Sequence, residues 1–287
     1  MPVLKKRKGK YKVVNWSDYN KSLINRCDLS IWFTEDALTN WFEAKPVCMS
    51  RGRQKEYSDT AIKTIYTLRQ LFNLKLRQAQ GFTRSLLLLL QKALVTPDYT
   101  TISRRIREVS VDFLPQKHLE KINLILDSTG IKVVGEKEWI NYKYKLRQRR
   151  TWRKLHIGVT DDGTIVAGQV TGLRDSDIST VPYLLNQVNS EVVQVVGDGV
   201  YYKKRMEQYI NNYEHTKNAR FIGPPGNGQQ NYGNRLKIEE TFSRYKRIIG
   251  NKFKAKVFKG QENEARLSLF ILNKMKEIGM PKTIRVA

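Results

Sequence analysis

Asn123-Leu124-Ile125-Leu126-Asp127-Ser128 is an apolar run that ends on a carboxylate and a hydroxyl. It reads as a strand, with Asp127 at its end. Residues 192–196, Val-Val-Gln-Val-Val, repeat the pattern and stop at Gly197-Asp198-Gly199. Between them the spacing predicts a strand within 149–159 (Trp152, Leu155, Ile157, Val159). A hairpin turn at Asp161-Asp162-Gly163 and a strand over 164–170 follow. Asp177 is expected to cap a helix reaching Leu184-Leu185. Beyond Asp198, residues 202–212 read as helix, 219–222 as a short strand, and 235–249 and 261–278 as helices. Three strands, then alternating helix and strand with helices at the end, predict an α/β core.

Upstream of residue 120 the period is helical. Ser58 and Asp59 suit a helix start, and Ile62, Ile65, Leu68, Phe72 and Leu76 recur at three- and four-residue steps until Gly81-Phe82 break the pattern. A second, buried helix holds residues 86–90. Asp98 or Thr100 caps a third with Ile102, Ile106 and Val109 inward. Trp16, Tyr19, Leu23 and Trp32 are the expected anchors of the irregular-to-helical start. The pattern divides the chain into a helical N-terminal region, 1–118, helix-turn-helix-like within 57–110, and an α/β region, 119–287. By pattern alone the first is either a plain helical bundle with a solvated basic face or a DNA-binding region, and the global charge favours the second. Arg104, Arg105 and Arg107 on the last short helix are its candidate DNA contacts.

Charge points the same way. The 287 residues carry 52 Lys and Arg against 27 Asp and Glu, a formal charge of +25. So large a surplus suits a polyanionic partner, because neutralising nucleic acid releases its counterions. A hydrophobic fraction of 40% is enough for a real core, which excludes wholesale disorder. Two cysteines and no CxxC exclude a disulfide framework and structural zinc, and fit a reducing cytoplasm. The basic N-terminus has no apolar run behind it, and residues 86–90 are far too short to span a membrane. The stretch Lys143, Lys145, Arg147, Arg149, Arg150, Arg153, Lys154 is interleaved with Tyr142, Tyr144 and Trp152, which favours a DNA-backbone surface.

A carboxylate at a strand end beside small residues is where α/β sheets put ligand sites. Asp127 and Asp198 on neighbouring strands, with a third acid from a helix, would hold hard cations such as Mg²⁺ through oxygen. Helical phase selects the third. With Glu239 at zero, Arg235 falls at about −40°, Lys246 at about −20° and Tyr232 at about +20°. The apolar Ile238, Phe242, Tyr245 and Ile249 lie at about −60° to −120°. Glu239 thus borders the buried face, while Glu240 points about 100° away toward solvent. From spacing alone this stripe is equally a salt-bridged helix face or a metal ligand flanked by phosphate clamps.

Tyr232-x₂-Arg235-x₃-Glu239-x₆-Lys246 resembles the Y-R-E-K motif around the third acid of bacterial insertion-sequence transposases with a DDE triad, an arrangement of the family 4 type. Asp127 in LILDST and Asp198 in VVGDGVYY resemble the first and second acids. Arg153-Lys154-Leu155-His156, Gly279-Met280-Pro281 and Asn15-Trp16-x₂-Tyr19-Asn20-x₂-Leu23-x₂-Arg26 resemble the insertion-sequence family 5 branch. The resemblance implies a ribonuclease H-like mixed sheet. It also implies two Mg²⁺ ions (Mn²⁺ substituting) on Asp127, Asp198 and Glu239, with hydrolytic cleavage and strand transfer. The implied partners are double-stranded DNA, as terminal inverted repeats and target, and further copies of the chain assembled on it. A bacterial, nucleoid-associated setting and no membrane go with these. Tyr232, Arg235 and Lys246 would hold the DNA end. From Asp198 to Glu239 is 239 − 198 = 41 positions, too short for the large β insertion of some relatives. Their base-stacking aromatic has only Tyr201, Tyr202 or Phe221 as a counterpart here.

The rival readings are a stand-alone nuclease on the same core and a DNA-binding relic without catalysis. The Gly223-Pro224-Pro225-Gly226-Asn227-Gly228 loop lacks the Lys-Ser/Thr of a phosphate loop. His156 reads as a core histidine, and Asp175 and Asp177 as helix caps.

Overall fold

A computed structural model describes residues 10–44, 55–114, 121–133, 152–198, 204–223 and 235–286. In chain order these hold β1 (Lys10–Val13), α1 (Trp16–Asn25), α2 (Leu29–Trp32), α3 (Glu35–Thr39), α4 (Asp59–Leu71), α5 (Leu76–Leu89) and α6 (Tyr99–Arg105). There follow β2 (Lys121–Val133), β3 (Trp152–Val159), β4 (Ile165–Gly172), α7 (Asp177–Leu185), β5 (Glu191–Gly197) and α8 (Lys204–Asn211). The chain closes with β6 (Arg220–Ile222), α9 (Leu236–Ile248), β7 (Lys252–Phe253), α10 (Phe258–Ile278) and β8 (Thr283–Val286).

The central sheet runs β4-β3-β2-β5-β6, with β7 joining the far end of β2. β2, β3 and β4 are antiparallel neighbours, whereas β5 and β6 run parallel to β2. Numbered from β2, the order is 3-2-1-4-5, the ribonuclease H-like mixed sheet that the sequence led us to expect. Alternation along β2 feeds both layers: Leu124 and Leu126 pack with α7 and α8, and Ile125 and Ile131 pack with α9 and α10.

Four expectations change. Asp127 is not at the end of its strand, because β2 continues to Val133 on its pairing with β3. The strand that ends there is β5, whose Gly197 stands opposite Leu126. The first long helix stops at Leu71, where Asn73 takes a left-handed φ of 53°, and α5 runs through Gly81 unbroken. Gly81 has open space around it, so it costs the helix only propensity, about 1 kcal/mol. Leu88 and Leu89, expected inside, are 70% and 78% exposed, while Leu87 carries the burial. Ser176 holds the N-cap position of α7, so Asp177 is its first helical residue.

The division at residue 118 is not a gap in the core. α10 packs Leu267, Ile271 and Met275 against α4, α5 and α6, and Ala265, Leu269 and Leu272 against the sheet. The chain ends are joined as well, since β1 pairs with β8. Asn15 Nδ2 donates to Met280 O (3.1 Å) and Arg26 Nη2 to Gly279 O (2.6 Å). The two terminal motifs noted in the sequence are therefore one contact. Gly279 has φ 151°, and a Cβ there would stand 2.7 Å from Ser22 Cβ. Trp32 is a buried anchor, but Trp16 lies 57% exposed, stacked on Tyr19, and Leu23 is 40% exposed.

Candidate active site

Because β5 ends opposite Leu126, the next residues in register, Asp127 and Asp198, come side by side at the mouth of the parallel pair. α9 brings its first turn over them. Arg235, which starts that helix, sets its guanidinium among the acids. Its Nη1 donates to Asp198 Oδ1 and its Nη2 to Asp198 Oδ2, both at 3.3 Å. Nη2 lies 3.5 Å from Asp127 Oδ2, and Nε 3.8 Å from Glu239 Oε1. One cation thus meets all three acids. Glu240 turns away to pair with Lys237, as helical phase predicts.

Asp127 is the most enclosed of the three. Burial pushes its carboxyl above the ordinary value; the Ser128 N–H and Arg235 pull it down, and Asp198 adds repulsion. A low-dielectric site that gathers like charges around one cation is poised for a stronger one. Among the described residues no three His, Cys, Asp or Glu side chains form a ready-made metal cage. The donor set nevertheless fits a hard divalent ion: three carboxylates, no sulfur or imidazole, with a guanidinium in the cation's place.

Strand alternation sorts the neighbours. Arg153 stands opposite Ile131, on the face of the acids; its Nε donates to Gln261 Oε1 (2.8 Å), with its guanidinium 5.2 Å from the Phe258 ring centroid. Lys154 and His156 face the opposite side, with Ser128. There Asp177 accepts from Ser128 Oγ (2.9 Å) and Lys154 Nζ (2.7 Å). Burial pushes the Asp177 carboxyl up, but these two bonds outweigh it and hold the pKa below the ordinary value. Lys154 is thereby tied into an internal ion pair, with 25% of its side chain exposed, an arrangement the basic-stretch reading did not anticipate.

His156 is fully buried, and its Nε2 meets Thr171 Oγ1 at 2.8 Å. Burial pushes its pKa down to about 4, so it sits neutral in the core. The unfolded chain protonates near 6.5 and the folded one does not. Stability is therefore complete above about pH 6.5 and falls as pH drops toward 4. His156→Phe should flatten the pH dependence of the denaturation midpoint over that window. An unchanged slope would place the titration elsewhere.

Arg105 corrects another expectation. It is 3% exposed, with Nη1 donating to Tyr57 O and Nη2 to Asp59 Oδ1, both at 2.6 Å. A guanidinium so enclosed does not reach a duplex; it locks α6 to the start of α4. Arg105→Leu should cost about 1–3 kcal/mol in chemical denaturation, because it strands the buried Tyr57 carbonyl, while half-exposed Asp59 turns to water. Arg104 and Arg107 are exposed. Lys246 is exposed too, on the Glu239 side of α9. Phe221 is half-buried among the residues packed on α8. Tyr232, Arg149, Arg150, Tyr201, Tyr202 and the 224–228 loop lie outside the described residues. Sequence reasoning missed Arg235 as the hub of the acids, although its position four residues before Glu239 was the available signal.

Among the described residues no helix is long and apolar enough to cross a membrane. A family model described as "Transposase DDE domain" matches residues 119–274, and a second with the same description matches residues 24–136. Among solved structures, the chain resembles one in a simian T-cell lymphotropic virus intasome bound to PP2A regulatory subunit B56 gamma. The likeness is 13% identity over 69% of this chain and 64% of that one, with a TM-score of 0.29. It also resembles a chain of the Drosophila P element transposase strand transfer complex. There the identity is 12%, over 73% of this chain and 48% of that one, with a TM-score of 0.30. Likenesses this distant add nothing to the fold, which rests on the order of this chain's own sheet.

Proposed function

The chain belongs to the transposase DDE-domain family, and from that premise we propose that it cuts DNA at the ends of an insertion sequence and joins them to a target. The observation that carries this reading is the meeting of Asp127, Asp198 and Glu239 on one guanidinium. Enzymes of the family work with divalent metal ions; we propose two Mg²⁺ here, with Mn²⁺ substituting. Asp127, Asp198 and Glu239 would hold them. Bound ions would supply a nucleophile at neutral pH and stabilise the leaving 3′ oxygen.

The chain's own residues do the rest. Asp127 is the enclosed acid, and its burial would strengthen the charges closest to it, while Asp198 and Glu239 stay open to an incoming DNA end. Arg235 would leave the acids and hold a phosphate through its fork, and Tyr232 would help seat the DNA end. Lys246 lies about 10 Å along α9 from Glu239, which suits a phosphate one or two nucleotides from the scissile bond. Arg104 and Arg107 would track backbone at the terminal repeat, and assembly of several copies on DNA would bring two ends together. Hydrolysis and strand transfer are both in-line displacements at phosphorus, so one site can run both.

The test is a plasmid carrying terminal inverted repeats, incubated with the chain and Mg²⁺. Cleavage at the repeat ends followed by joining to a second plasmid is expected. Cleavage without joining would favour the nuclease reading, and binding without either would favour the relic.

A further inference from the structure

A cavity of about 200 Å³ lies between the helical region and the catalytic core, apart from the three acids. Arg69 of α4, Arg107, Ser103 of α6, Lys254, Lys256 and Gly260 of α10 line it. Arg69 is only 4% exposed, and its Nε and Nη1 have no hydrogen-bond partner among the described residues. Its guanidinium lies 4.5 Å from the Tyr66 ring centroid, and Tyr66 and Arg69 line the cavity together. Buried N–H groups left unmade are uncommon and destabilising, so their presence here points to a missing acceptor.

The surroundings repeat that demand. α10 is 21 residues long, and no side chain caps its start. Val257 and Gly260 line the cavity, so the partial positive charge of the helix start lies at its wall. A Cβ on Gly260 would stand 3.1 Å from Ala255 Cβ, a tight approach, and 3.9 Å from Arg107 Cγ, an ordinary contact, so the glycine lets the 254–256 segment lie close against the helix start. The nearby acid, Glu264, is 2% exposed; its carboxylate accepts from Lys254 N and Ala255 N at 2.8 to 3.1 Å, and burial raises its pKa while the charge of Arg69 opposes that rise, so one buried anion already faces these cations. Burial, and after it the charge of Arg69, lower the Lys254 pKa, as expected where cations crowd. Gln261 ties the wall to the catalytic face: its Nε2 donates to Ala255 O (3.0 Å), and its Oε1 accepts from Arg153 Nε (2.8 Å).

We propose that this cavity seats one phosphate group of the DNA backbone, anchored by Arg69, Arg107, Lys254, Lys256 and the α10 N-terminus. Arg153 stands beside Ile131, four strand residues or roughly 13 Å beyond Asp127. A strand leaving the acids along that face would meet the cavity a few nucleotides on. The contact would fix how DNA lies across the junction of the two regions without reading its sequence. This rests on the proposed action on DNA.

The test uses the full chain and Lys256→Ala, an exposed position whose removal spares the fold; Arg107, which also serves the terminal repeat, and buried Arg69 stay in place. Affinity for an unrelated duplex is measured from 50 to 200 mM salt. Loss of one phosphate contact should flatten the log–log slope by about 0.9, so the variant's deficit shrinks about threefold across that range. The loss should be equal on every duplex. In parallel, inorganic phosphate is compared with chloride at matched ionic strength for its effect on melting. Protection of the wild type alone, with the flatter slope, supports the site. Protection with an unchanged slope assigns the cavity to a free anion and overturns the DNA assignment; neither effect overturns the site altogether. A wild type that binds no duplex would instead refute the DNA reading beneath it.

Discussion

Asparagine at Asp127 or Asp198, or glutamine at Glu239, is expected to stop cleavage and joining of end DNA while leaving the chain folded and able to bind the duplex. Each amide keeps the shape of the acid and removes one charged oxygen donor. Disturbing even an outer partner of a metal ligand costs about 10–100-fold, so direct loss of a ligand should exceed about 100-fold. Stability should move the other way at Asp127, whose carboxyl burial penalises and whose neighbour Asp198 repels. Asp127→Asn should therefore melt no lower than the parent without metal, and it should gain less on adding Mg²⁺. Such opposition between stability and activity is expected where like charges are held together for function. Glu240→Gln is the control, since Glu240 pairs with Lys237 on the outer face. If Glu239→Gln cuts normally and Glu240→Gln does not, the helical phase of α9 has been misread.

What the sequence revealed is what local periodicity encodes. The apolar run at 124–126 marks a strand buried on both sides, and Ser58 and Asp98 cap the helices they were expected to cap. The phase of α9 puts Glu239 toward the acids because a helix repeats its geometry from residue to residue. The errors at β2 and at Arg105 share one physical origin, which is long-range pairing. Ser128, Thr129, Gly130 and Lys132 carry no apolar pattern, and they stay in β2 because β3 supplies pairing partners from 20 to 28 residues away. Arg105 reads as one more cation in a basic run until Tyr57 and Asp59, 48 and 46 residues earlier, enclose it. The α10 helix serves two cores with its opposite faces, a link between the two regions that no local pattern encodes.

Arg235→Ala should separate two roles that the present geometry combines. Without metal, Arg235 is the cation that the three acids share, and its side chain is 23% exposed. Removing it leaves three carboxylates facing one another. Each exposed pair is worth little by itself, but Asp127 is largely enclosed, so a net loss of about 1–2 kcal/mol is expected in metal-free buffer. For a chain of this size that is a melting shift of a few degrees. Mg²⁺ should then stabilise the variant more than the parent, because the ion no longer displaces an internal cation. Arg235→Lys should fall between them, since a point charge on a flexible stem cannot meet three acids at once. Cleavage should behave differently. If Arg235 swings onto a phosphate of the DNA end, its loss removes a preorganised positive charge from the reacting centre. Removing one such group costs about 100-fold or more, and metal concentration should not restore it. Melting rescued by Mg²⁺ with cleavage still lost would establish both roles. Cleavage rescued along with melting would mean that Arg235 only holds the acids until metal arrives. Unchanged melting without metal would mean that its three ion pairs add nothing to the fold.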